Sequence, residues 1–291
     1  MATEGRRPLV QRIADFPLVA MIVATALFVL ASALGTYLGK FVPAWGQPAT
    51  AAVHMVITIS LVLAVYKLAI VRLGERPRDD LPATGAIRNL ALGLAAGAVL
   101  YGLVVGIAAV FDIYRITGQG GTSMLLLGLI SEGVMPGFME ELLFRGILFR
   151  WIEELAGSWT ALVITSALFG LAHILNPGAT WFSSFAIAIE AGLLLGGAYM
   201  LTRSLWLPMG LHAAWNIMQG PVFGVPVSGL PAHGVFRSTL SGPTLLSGGS
   251  FGLEASLIAV TIATAAGLWF IWLAANQGEL MQPWWVGRQQ R

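Results

Sequence analysis

The chain contains no cysteine in its 291 residues, which excludes disulfides, thiolate nucleophiles and thiolate metal ligation. Charge is almost as scarce. Asp, Glu, Lys and Arg make up 10% of the residues, whereas a soluble domain carries about a quarter, so the chain cannot build a water-facing surface. The net charge of +2 comes from bases scattered between apolar runs rather than clustered in a patch, which argues against a nucleic-acid partner. There is no His-Glu-x-x-His. Nor is there an internal repeat of the kind that marks many transporters.

What is abundant is apolar length. The chain is 57% hydrophobic with a mean hydropathy of +0.79. A segment of about 20 apolar residues crosses a ~30 Å hydrocarbon core, and the sequence predicts eight such helices, near 17–38, 49–73, 89–111, 124–149, 159–176, 181–201, 205–218 and 250–275. The expected fold is all-α, a polytopic transmembrane bundle. The first span follows Arg6, Arg7 and Arg12 as in a signal peptide, but it is long for one and lacks a cleavage site, so it reads as a retained helix. The ten Trp suit interfacial anchoring.

Eight spans put both ends on one side. Cytoplasmic loops are enriched in Lys and Arg. With Arg145 set aside, twelve bases fall on the terminal side, and only Lys40, Arg115 and Arg237 on the other. Both termini are therefore expected in the cytoplasm, and the Gly-, Pro- and Ser-rich stretch 219–249 outside it, dipping into the interface. The Glu153–Glu154 pair reads as a solvated turn between spans.

Glu140, Glu141 and Arg145 lie within the fourth span. A charge at the bilayer centre costs about 2.5–3.5 kcal/mol on insertion scales, so three within six residues need a reason. Glu141 and Arg145 are four apart, on one helical face, and can pair directly. Glu140 points elsewhere and is left for chemistry. His173 lies near the end of the fifth span, with Phe169 on its face. His212 and Asn216 are four apart in the seventh, after Pro208 and Gly210 interrupt the backbone. Taken singly, His173 reads as an interfacial residue and the His212–Asn216 pair as a helix-packing contact.

Depth ties them together. At 1.5 Å per residue from the cytoplasmic ends, Glu140, His173 and His212 lie roughly 15, 21 and 14 Å deep, all near the middle of the bilayer. His54 and His233 have no such partners and read as a packing residue and a loop residue. Glu132 and Glu190 also fall in or beside apolar spans without an assigned partner; Glu132 is expected toward the external part of its helix, and Glu190 at a cavity.

Glu140-Glu141-x-x-x-Arg145, Phe169-x-x-x-His173 and His212-x-x-x-Asn216, in that order, resemble the motif set of the CPBP family, the CaaX prenyl protease and bacteriocin-processing intramembrane proteases. The likeness covers residues 124–220 as a type II CaaX prenyl endopeptidase-like core, between N-terminal helices (1–123) and an external loop with a last helix (221–291). It implies a conical cavity open toward the cytoplasmic side and peptide-bond hydrolysis at its floor. By motif, Glu140 would be the general base and His173 would help hold the attacking water. His212 and Asn216 would stabilise the oxyanion, and Glu141 with Arg145 would support them. The family is classed among metalloproteases, which makes zinc a candidate cofactor with Glu140, His173 and His212 as its ligands. Members have also been read as metal-independent, and the sequence leaves this open.

The function expected on that resemblance is an intramembrane endopeptidase acting on a membrane-associated, in some relatives lipidated, protein or peptide. Its partner is the lipid bilayer, and the short loops fit a bacterial cytoplasmic membrane. The alternatives are a non-proteolytic scaffold or immunity protein on the same fold, or a proton-coupled transporter, since buried Glu and His also build proton relays.

Overall fold

The computed structural model describes residues 13–287. Arg6, Arg7, Arg12, Arg288 and Arg291, which carry part of the expected charge asymmetry, lie outside them. Helix α1 spans Pro17–Gly39, with proline at the position where its missing N–H costs nothing. Helices α2 (Gln47–Leu68) and α3 (Ala86–Val110) follow. Strand β1 (Tyr114–Gln119) then leads to α4 (Leu125–Ala172), α5 (Trp181–Thr202), α6 (Trp206–Ile217), strand β2 (Phe236–Leu240) and α7 (Leu257–Asn276). Six of these helices are long and apolar enough to cross a bilayer.

The six become seven crossings because α4 is two of them, and the remaining expected span, near 205–218, is the short helix α6. The 48 residues of α4 are interrupted at Gly157, whose φ of 81° and ψ of 167° are not helical. The Phe144 and Phe169 rings pack with centroids 4.8 Å apart, yet twenty-five residues of straight helix would separate them by about 37 Å. Gly157 is thus the corner of an antiparallel helical hairpin. The corner is not solvated as the sequence suggested. Glu153 is fully buried, accepting a hydrogen bond from Ser158 Oγ and pairing with Arg203 at 2.6 Å, and Glu154 lies 3.9 Å from Arg150. The other limb ends at Ala172, so His173 caps the helix instead of lying within it.

Helix α6 is only 12 residues long and continues as a wider turn over Met218–Val222. It crosses α3 closely: a methyl group at Gly93 would run into the Leu207 carbonyl, and one at Gly97 into that of Leu211. Small residues permit such backbone approach in membranes, where packing rather than hydrophobic burial holds helices together. The pairing of β1 with β2, antiparallel with an irregularity between Ile116 and Gly118, was not expected. Large apolar side chains face outward all around, among them Leu30, Val110 and Val163, each more than 60% exposed. That is the surface a lipid-solvated bundle presents. His54 packs against Gly39, and His233 is an exposed loop residue, as expected.

The two ends of the bundle differ. At one, buried Asp80 pairs with Arg78 at 2.8 Å and Arg150 at 3.7 Å and accepts the Tyr199 hydroxyl, while Lys67 pairs with Asp79 and Arg203 bridges Glu153 and Glu279. At the other, the segments after α4 and before α7 are joined to residues 228 and 229. Asn176 donates to the Ser228 carbonyl, and the Gly229 N–H to that of Phe251.

Candidate active site

Helix α4 supplies a run of wider helical turns, Leu129–Val134 and Leu142–Phe149, on either side of a short α-helical stretch that ends at Glu141. Such turns are rare and are found mostly at functional sites. Arg145 and Glu141 are fully buried and pair at 2.9 Å, as their spacing predicted. Arg145 also donates to the Ala191 carbonyl of α5 and lies 4.8 Å above the Phe169 ring. One ion pair therefore ties both limbs of α4 to α5.

The same Glu141 oxygen, Oε1, lies 2.9 Å from His212 Nδ1 on α6. Glu141 is thus more than a mate for Arg145, because it also orients an imidazole 71 residues away. A carboxylate beside Arg145 accepts, so His212 Nδ1 carries the proton and Nε2 faces onward. Glu140 Oε2 stands 4.0 Å from that Nε2, and its side chain is 34% exposed. His173 Nδ1 is 2.7 Å from the Phe169 carbonyl, which can only accept. Its Nε2 is therefore the free nitrogen. Phe169 touches both imidazoles, with centroids 4.9 Å from His173 and 6.1 Å from His212.

A cavity lies against this group. Its lining includes His173, His212 and Asn216, together with Glu190, Ser228 and Glu254. The structure thus gathers four of the sequence-derived residues, with Glu140 beside His212 and the other three on the cavity wall. Asn216 differs in detail from expectation: one N–H of its amide donates to the Glu132 carbonyl at 2.9 Å, which leaves the other for the cavity. Glu132 lies near the start of α4, and Glu190 does line the cavity. Glu254 was missed; it falls just before α7, and the rule that singled out Glu140, a carboxyl within an apolar run, applied to it equally. Among the described residues, no three His, Asp or Glu side chains are gathered as a metal ion would require.

Residues 122–218 match the family of type II CAAX prenyl endopeptidase, Rce1-like, proteins. The match is a similarity of this stretch of the chain. It holds all three motifs and covers about a third of the 291 residues. No curated protein and no solved structure matches the chain. The resemblance implied a cavity open toward the cytoplasmic side. Here the cavity has Ser228 and Glu254 in its wall, at the end of the bundle opposite the cationic cluster around Arg78, Arg150 and Arg203. The family's implied orientation and the base asymmetry therefore disagree about which side the cavity faces.

Proposed function

We propose that the protein is an intramembrane endopeptidase that hydrolyses peptide bonds of membrane-associated substrates with water activated by Glu140. The observation that carries this reading is the relay Arg145–Glu141–His212, which aims His212 Nε2 toward Glu140 beside a cavity that His173 and Asn216 also line. A water hydrogen-bonded at about 2.8 Å to each partner spans a separation of 4.0 Å. Glu140 takes a proton from that water while its oxygen attacks the scissile carbonyl carbon, and the free Nε2 of His173 accepts the second water hydrogen and orients the attack. The carbonyl oxygen becomes an oxyanion.

His212 Nδ1–H is committed to Glu141, so in this reading its Nε2 donates to the oxyanion as the imidazolium. The unused amide N–H of Asn216 is the second donor. Collapse breaks the C–N bond, and Glu140 returns its proton to the leaving amine.

The base asymmetry supports cytoplasmic termini, in keeping with a bacterial plasma membrane, and on that orientation the cavity takes substrates from the non-cytoplasmic half of the bilayer. Purified protein in lipid, given peptides with and without an acyl or prenyl anchor, tests the activity. Turnover that resists chelators and is lost in Glu140→Gln supports it. Glu140-independent cleavage overturns the glutamate-base mechanism, and chelator-sensitive cleavage restored by added zinc would put a metal in its place.

A further inference from the structure

Glu190 is the one carboxylate of the cavity wall with nothing to hold it. It lies on α5, 3% exposed, with no hydrogen bond, and its Oε2 is buried without a partner. Glu254 stands in the turn Leu253–Ala255 before α7, 4% exposed, and its Oε1 accepts the Ser228 N–H. Both line the same cavity, to which no Lys or Arg contributes. Arg145, which reaches the carbonyl of Ala191 next to Glu190 in sequence, is taken up by that carbonyl and Glu141.

Two carboxyl groups facing one low-dielectric space repel when ionised, and a buried charge is costly unless paired. Burial, outweighing the hydrogen bonds from Ser228 and Gln219, pushes the Glu254 carboxyl up to about 7. Glu254 is also held by the Ser228 and Gln219 side chains and faces the His212 ring, whereas the only charged group beside Glu190 among the described residues is Glu254 itself. A cation brought in from outside the chain would satisfy both at once, and it would do so within the cavity that holds His212 and His173.

We propose that Glu190 and Glu254 form a cation subsite of the cavity, which seats an ammonium or guanidinium group of the substrate beside the bond to be cut. This rests on the endopeptidase reading and adds a substrate class to it: peptides with a basic group close to the cleavage site. That group is either a Lys or Arg side chain or a free amino terminus, and the two sources share one chemistry.

The test uses full-length protein in lipid and peptides that differ at one position, Lys against the uncharged norleucine, each with a free or an acetylated amino terminus. The expected result is a preference in kcat/KM of about tenfold or more for the charged peptide, as losing one partner of a desolvated ion pair implies. In Glu190→Gln, and separately in Glu254→Gln, that ratio falls toward one. Persistence of the preference on acetylation assigns it to the side chain, and its loss assigns it to the terminus. A ratio that is near one in the wild type, or unchanged in both variants, overturns the subsite while leaving the endopeptidase intact. A second measurement separates the two readings: thermal stabilisation of the Glu140→Gln protein by the Lys and norleucine peptides. Stabilisation by Lys alone, abolished by adding Glu190→Gln, upholds the subsite even where no peptide is cleaved. Equal stabilisation by both peptides overturns it.

Discussion

Glu140 and Glu141 are neighbours in sequence with opposite surroundings. Glu141 is wholly buried between Arg145 and His212, whereas Glu140 keeps a third of its side chain accessible and touches no cation at bonding distance other than His212. Each should therefore fail differently. Glu140→Ala, His173→Ala and His212→Ala should each abolish turnover in protein that still inserts and melts normally. Asn216→Ala should leave a residual rate about 10² to 10³ below wild type, since it removes one oxyanion donor; single-turnover assays of the purified variants check the ranking. Glu141→Gln should lower both stability and turnover, because it leaves Arg145 buried and unpaired at a cost of about 3–5 kcal/mol and releases the His212 ring. A normal melting temperature with lost turnover would show that the His212 contact matters and the ion pair does not. The division of labour between the two glutamates could be read from 100° of rotation per residue. The hydrogen bond from Glu141 to His212 could not, because its partners are 71 residues apart and only the packing of α6 brings them together.

At the scale of elements, that packing depends on absent side chains. Gly93 and Gly97 of α3 let the α6 backbone approach at Leu207 and Leu211, one residue before His212. Gly97→Val should push α6 outward, move His212 away from both glutamates and reduce turnover at least as strongly as it reduces stability. Disulfide trapping between cysteines introduced on α4 and α6, in a background free of native cysteine, measures the displacement. Loss of stability with unchanged trapping would show that α3 is not what positions α6. Apolar length made the spans legible, and the helical hairpin was legible as two of them. The burial of Glu153 was not, because its partner Arg203 lies on α5, 50 residues further on. The β1–β2 ribbon escaped for the same reason. Tyr114–Gln119 has no clear alternation of its own and becomes a strand only against Phe236–Leu240, more than a hundred residues along the chain.

The whole molecule is polarised along the membrane normal. One end is closed by ion pairs centred on Asp80, and the other carries the cavity, the loops that wall it and the β-ribbon. The base count assigns the first end to the cytoplasm, and that rule counts Lys and Arg whether or not an acid neutralises them, so the pairing of Arg78, Arg150 and Arg203 does not weaken it. Two exposed positions separate the alternatives without touching either the ion pairs or the cavity: Glu75 beside the charged end, and Thr239 on the ribbon. With no cysteine in the wild type, Glu75→Cys and Thr239→Cys each create a single thiol. A membrane-impermeant maleimide applied to intact cells should label position 239 and spare position 75, and permeabilised cells should label both. The reverse pattern would place the cavity on the cytoplasmic side, as the Rce1-like resemblance implies, and would make cytoplasmic lipid-anchored peptides the substrates to test first. Labelling at 239 alone would instead confine the enzyme to polypeptide segments that have already crossed the membrane, because Glu140, His173 and His212 would then meet their substrate from the outer leaflet.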